Sequence, residues 1–211
     1  MCDEFRGTDS EFFFYFRHNW RYGGRRLICP AIGKESDYHS MKTIIHKWKS
    51  ISLIEEDVKL PTGSSITHTT IQHPGAAVIL PITSNGKVIL INQFRPSLKK
   101  WLLELPAGTM EQGETPLDCA KRELEEETGY SAGQFQSLGQ VTPLAGFCDE
   151  IQHLFVASEL NLTTRFSCDD DEVIEVLELT VEELQQKIRN DQITDTKTIA
   201  CLSKAQLCGY L

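Results

Sequence analysis

Between Gly108 and Tyr130 the chain reads GTMEQGETPLDCAKRELEEETGY. On a helical wheel Glu123, Glu126 and Glu127 fall on one arc, because residues three and four apart are neighbours on a helix. Glu125 points the opposite way, and Leu117, Ala120 and Leu124 form an apolar stripe beside the carboxylates. Two readings are open at this level. The helix can be a solvated charged face, with Arg122 paired to Glu126 and Lys121 to Glu125. Alternatively, it can be a cation site. Like charges at this spacing destabilise a helix by about a few tenths of a kcal/mol per pair, and a divalent ion reverses that sign. Hard oxygen ligands select Mg²⁺ or Mn²⁺, and Mg²⁺ commonly shares its shell with substrate phosphates. No Walker P-loop, HExxH, GxSxG or GxGxxG pattern is present to suggest other chemistry.

The elements that must hold this segment are readable in outline. The spacing predicts a helix over 115–128, with Thr115 as cap, Pro116 at the first helical position and Gly129 as stop. Thr43–Glu55 reads as one strand and Ile66–Gln72 as a second, separated by the turn Pro61-Thr62-Gly63. Ala77–Thr83 and Lys87–Gln93 are apolar strands flanking Asn85-Gly86, a strong hairpin signal. Trp101–Glu104, Ile151–Ser158 and Val173–Leu179 complete the strands. Thr180-Val181-Glu182-Glu183 is a capping box opening a helix to about Asn190, and Lys197–Leu207 is a last helix. Strands interleaved with a few helices predict an α/β (α+β) fold with a mixed sheet.

Bulk properties bound the possibilities. The chain has 211 residues, 40% hydrophobic and 24% charged, which suits one globular domain with an appendage. A net charge of −9 argues against non-specific contact with nucleic acid or anionic membrane. Seven cysteines without a CxxC pair argue for a reducing, cytoplasmic setting rather than a disulfide framework. Residues 1–40 hold nine of the eighteen aromatics, carry no net charge and show no helical or strand period. They are expected to be a poorly ordered extension to a domain spanning 41–211. Within that domain, 41–74 supply N-terminal strands and 75–211 the catalytic core.

The fixed residues Gly108, Glu114, Arg122, Glu123, Leu124, Glu126, Glu127, Gly129 and Tyr130 match the Nudix box at every position. A chance match is on the order of one in ten million at average composition. The segments Gln93-Phe94-Arg95-Pro96, Glu104–Gly108, His73-Pro74-Gly75 and Asp170-Asp171-Glu172 further resemble the ADP-ribose and nucleotide-sugar pyrophosphatase branch. That likeness covers about residues 43–190. It departs where the branch carries a Pro-Gly pair and this chain has Ala145-Gly146.

The resemblance implies an α/β/α sandwich with a small N-terminal antiparallel sheet. It also implies metal-dependent hydrolysis of a nucleoside diphosphate sugar, with ADP-ribose giving AMP and ribose 5-phosphate ranked first. GDP-mannose or UDP-glucose hydrolysis, and a non-hydrolytic nucleotide sensor, are the alternatives. Carried over residue by residue, Glu123, Glu127 and the Ala107 carbonyl are the metal ligands, with Gly108 turning the backbone toward the ion. Glu126 is a third or shared ligand, Arg122 orients the carboxylates, and Glu114 is its structural partner. Gly129 ends the helix. Glu172, or failing that Glu150, is the general base. Arg95 reaches a phosphate or the sugar. Trp48 and His68 are candidates to stack on the base, across a homodimer, whereas Trp101 is assigned to the core.

Overall fold

The computed structural model describes residues 42–163 and 173–211, together with the backbone of two short strands, β1 (Arg21–Tyr22) and β2 (Arg25–Arg26). Those two pair antiparallel; the rest of the 1–40 extension lies outside the described residues.

A three-stranded antiparallel sheet follows, in the order β3 (Thr43–Trp48), β4 (Ile51–Lys59), β5 (Ser65–Gln72). The single strand expected over 43–55 is thus a hairpin. The chain reverses at Lys49, which adopts φ 47°, so the turn is made without the Gly, Asn or Pro that would have advertised it.

Next come β6 (Ala76–Pro81), β7 (Val88–Arg95), β8 (Lys100–Glu104), β9 (Ala107–Thr109) and α1 (Pro116–Thr128). Then follow β10 (Tyr130–Val141), β11 (Gln152–Leu162), β12 (Ile174–Leu179), α2 (Val181–Arg189) and α3 (Thr196–Leu207). A mixed sheet runs β10-β11-β6-β9: β6 pairs parallel with β11 and antiparallel with β9. A second, antiparallel sheet runs β12-β7-β8.

The strand β6 is buried at every position, and its alternation feeds two cores. Ala77 and Ile79 pack with Phe155 and Ala157 against Cys119, Ala120 and Leu124 of α1. Val78 and Leu80 face the other way, onto Val88 and Leu90 of the second sheet, Leu184 of α2, and Cys201, Leu202 and Ala205 of α3. The layers are therefore α1, the mixed sheet, and then the second sheet with α2 and α3. In the α1 stripe Cys119 stands in for Leu117, which is 38% exposed.

Caps fix the helix ends. Thr115 accepts from the Asp118 amide, Gly129 ends α1 at φ 72°, and its amide donates to the Glu125 carbonyl. The α2 box closes in both directions between Thr180 and Glu183.

Candidate active site

Short β9 runs antiparallel to β6, with Gly108 opposite Ala77, and lies beneath α1. Two α1 carboxylates are consequently not on an open face, as the wheel alone suggests. Glu127 is 2% exposed and Glu123 9%. Buried carboxylates need partners, and both have them. The Ala107 amide donates to Glu127 Oε2 at 2.8 Å, and Arg122 Nη1 donates to Glu123 Oε1 at 2.6 Å.

Gly108 serves by its missing side chain. A β-carbon there would fall 1.9 Å from Glu123 Oε1 and 2.0 Å from its carboxyl carbon. Its φ is not among the positive values of this chain, so the expectation that glycine is needed to turn the backbone is replaced by one of space.

Arg122 organises the rest. Its Nε and Nη2 grip both oxygens of Glu114 at 2.9 Å each. Nη1 also reaches Glu126 Oε2 at 3.0 Å, and Nη2 the Thr109 carbonyl at 3.2 Å. One guanidinium thereby ties the loop before α1, the helix and β9 together. The Arg122 hydrogen bonds hold the Glu114 carboxyl below the usual carboxylate range, and those to Glu114 push the guanidinium's own pKa further up. Lys121 pairs with Asp118 at 3.8 Å.

Arg95, at the end of β7, is bound through Nε and Nη2 to Glu104 at 2.9 and 2.6 Å. The Glu104 hydrogen bonds chiefly push the Arg95 pKa up and the charge of Glu127 adds a smaller part, so Arg95 belongs to the same electrostatic neighbourhood as α1. Burial alone would push Glu104 up. The Arg95 hydrogen bonds and the Lys197 charge outweigh it and hold Glu104 below the usual range.

Glu150 accepts from Gln152 Nε2 at 2.9 Å. Glu172 lies outside the described residues. Trp48 is 41% exposed and stacks on His46 with ring centroids 5.5 Å apart. Trp48 is paired with Ile51 and His68 with Glu56, on the two outer strands of the N-terminal sheet, so one chain does not bring them together. Trp101 is not core: it is 44% exposed on edge strand β8 and meets Phe94 edge-on at 5.9 Å.

Several residues of this neighbourhood escaped the sequence reading. At the start of α3, Lys197 donates to Glu104, Thr198 accepts from the Leu105 amide, and Asp195 accepts from both Lys197 and Thr198. The Cys119 thiol lies 3.5 Å from the Gly108 carbonyl and is pushed up to about 12, mainly by burial, so it is an inert packing group. Only the capping pattern of Asp195 with Thr198 carried any local signal.

Residues 72–199 match the NUDIX domain. The chain is 40% identical over 167 residues to an ADP-ribose pyrophosphatase of Bacillus subtilis (strain 168), covering 79% of this chain and 90% of that one. It is 38% identical over 178 residues to a methanol dehydrogenase activator of Bacillus methanolicus, covering 83% and 96%. A GDP-mannose pyrophosphatase of Yersinia enterocolitica is 39% identical over 146 residues, covering 65% and 75%. The crystal structure of an ADP compounds hydrolase superposes with a TM-score of 0.69 at 16% identity, over 84% of this chain and 100% of that one. At that identity the superposition speaks for the fold. The chain belongs to the Nudix family.

Proposed function

We propose that this chain is a Nudix pyrophosphatase that hydrolyses nucleoside diphosphate sugars, with ADP-ribose as its preferred substrate. The observation that carries the reading is the buried pair Glu123 and Glu127, held against Ala107–Gly108 by a backbone amide and by Arg122. Burying two like charges side by side is unfavourable unless a cation joins them. The names of the relatives, ADP-ribose and GDP-mannose pyrophosphatases, support the substrate class.

Nudix hydrolases generally need a divalent metal; among the described residues no three acidic, His or Cys side chains already stand together as a metal cluster, but the donor types at the box suit one. They are hard carboxylate oxygens and carbonyls, with a glycine leaving room for Glu123. Glu123, Glu127 and the Ala107 carbonyl would hold Mg²⁺, or Mn²⁺, with Glu126 as a shared ligand. The ion supplies charge neutralisation for the diphosphate and activation of the attacking water.

The chain's own groups do the rest. Glu114 and the carbonyl of Thr109 fix Arg122, which sets the carboxylate spacing. Arg95 presents its guanidinium to the diphosphate. In the reaction, a water oxygen bonds to one phosphorus as the bridging oxygen leaves with the other phosphate. The proton of that water passes to Glu172 or Glu150, giving AMP and ribose 5-phosphate.

A homodimer built on the N-terminal sheet completes the reading. Every residue of β3 is exposed, and Ile44, Ile45, Trp48 and Ile66 leave apolar surface on that sheet. Such a surface commonly marks an interface, and pairing would place Trp48 and His68 of two chains where a base could stack. Among the described residues no helix is long and apolar enough to cross a membrane.

A panel of ADP-ribose, GDP-mannose and UDP-glucose incubated with Mg²⁺ or Mn²⁺, read by chromatography, tests the proposal. AMP released fastest from ADP-ribose is expected. Preference for GDP-mannose or UDP-glucose would move the substrate assignment. Binding without products would make the chain a sensor.

A further inference from the structure

Beside α1, two cations share one buried carboxylate. Glu104 is 0% exposed, and both its oxygens accept from Arg95. Its Oε2 also takes the ammonium of Lys197. Lys197 in turn donates to Asp195 Oδ1 at 3.0 Å. Asp195 is fixed as the cap of α3: its Oδ2 accepts from the Thr198 amide at 2.9 Å and hydroxyl at 2.7 Å. Thr198 Oγ1 accepts from the Leu105 amide at 2.9 Å, two residues before Ala107.

The two cations are not equivalent. The Lys197 side chain is 11% exposed and is held between two carboxylates. The Arg95 side chain is 34% exposed and feels the charge of Glu127. A guanidinium fork suits a carboxylate and a phosphate equally well, and a diphosphate arriving at Arg95 must compete with Glu104 for it. If Arg95 were the sole partner of Glu104, that competition would leave a fully buried charge uncompensated, an expensive state.

We propose that Lys197 is a positioning residue that keeps Glu104 paired whenever the diphosphate of the substrate draws Arg95 away. Arg95 then exchanges between a carboxylate and a phosphate without stranding a buried charge. Lys197 cannot follow it, because Asp195 and the α3 cap hold the ammonium in place. This inference rests on the reading of Arg95 as a diphosphate contact.

The test compares Lys197→Met, Lys197→Arg and the double variant Lys197→Met/Glu104→Gln in the full chain. Turnover of ADP-ribose and binding of its methylene-bridged, non-hydrolysable analogue are measured together. For Lys197→Met, KM and the analogue Kd are expected to rise about tenfold or more, with kcat held within about threefold, as for lost ground-state binding. Lys197→Arg restores both. The double variant also recovers most of the loss, because an amide at position 104 no longer competes as a charge for Arg95. A merely structural strut would not be repaired by removing a second member.

Unchanged KM and Kd in Lys197→Met, or a loss confined to kcat, or a double variant as impaired as the single, overturns the proposal. Should Lys197→Met fail to fold, Glu104→Gln alone decides. KM at or below wild type supports competition for Arg95, and a rise of about tenfold overturns it. Absence of ADP-ribose turnover in the wild-type chain overturns the hydrolase reading instead, and the analogue Kd values then still support or overturn the role of Lys197.

Discussion

Gly108 and Glu123 share one volume: the Glu123 carboxylate occupies the position a β-carbon of residue 108 would take, 1.9 Å from its Oε1. A side chain at 108 therefore has to displace the Glu123 carboxylate. Gly108→Ala is expected to displace Glu123 and lower kcat by about tenfold to a hundredfold, as for a misplaced electrostatic group. Forced overpacking costs about 1–3 kcal/mol. In a chain of this size each kcal/mol lowers Tm by about 2–4 °C. Steady-state kinetics and a thermal melt check both, and an alanine variant with wild-type kcat would remove Gly108 from the site.

Glu127→Gln separates charge from shape. The side-chain oxygen of glutamine can still accept from the Ala107 amide, so Tm is expected to stay within a few degrees. The lost charge is expected to reduce kcat at saturating Mg²⁺ by about a hundredfold or more. Near wild-type turnover would withdraw Glu127 from the ligand set.

Acid sensitivity follows from Glu114. Its pKa is depressed in the folded chain, chiefly by hydrogen bonds from Arg122, relative to about 4.3 when unfolded. The stabilisation it provides is present above the unfolded value and is lost as pH falls through the folded one. Tm measured from pH 6 downward is expected to drop below about pH 4. Glu114→Gln is expected to start lower at neutral pH and to show a shallower acid limb. An acid limb identical in slope to wild type would show that the pair does not contribute.

The general base can be assigned by comparing two variants. If Glu172 accepts the proton, Glu172→Gln lowers kcat with KM nearly unchanged, because its contribution arises in the transition state. Glu150→Gln is then mild, in keeping with the Gln152 amide already satisfying one of its oxygens. The opposite pattern would transfer the role to Glu150.

Association is read by light scattering. A dimer is expected at micromolar concentration, and a charge placed on the exposed apolar face, Ile45→Glu, is expected to yield monomer with reduced activity. A monomeric wild type with full activity would exclude a shared pocket.

Sequence reasoning reached the helix of the site because α1 carries its own punctuation: Thr115, Pro116 and Gly129 at the ends, and carboxylates at helical spacing. The burial of Glu123 and Glu127 was not visible, since a wheel gives angles and says nothing of the strand, β9, that covers them. The strand β10 was missed because Gly133, Gly139 and a run of polar residues blur its alternation, and much of it faces solvent. The link from Lys197 to Glu104 joins two ordinary charged residues far apart in the chain, a pairing with no local pattern. Lys49 hid a hairpin by turning without a turn residue.

The pairing of β6 also bears on how the chain is made. Its parallel neighbour β11 begins at Gln152, opposite Ala76, and its other neighbour β9 is only three residues long. During synthesis from the N-terminus, Ala76–Pro81 and the whole of α1 leave the ribosome well before β11 does. For that interval a strand that is buried at every position in the folded protein has one long open edge, and such edges invite pairing with other chains. Parallel contacts between distant segments also form slowly. Chains truncated before residue 152 are therefore expected to aggregate, and slower growth at reduced temperature is expected to raise the soluble yield of the full chain.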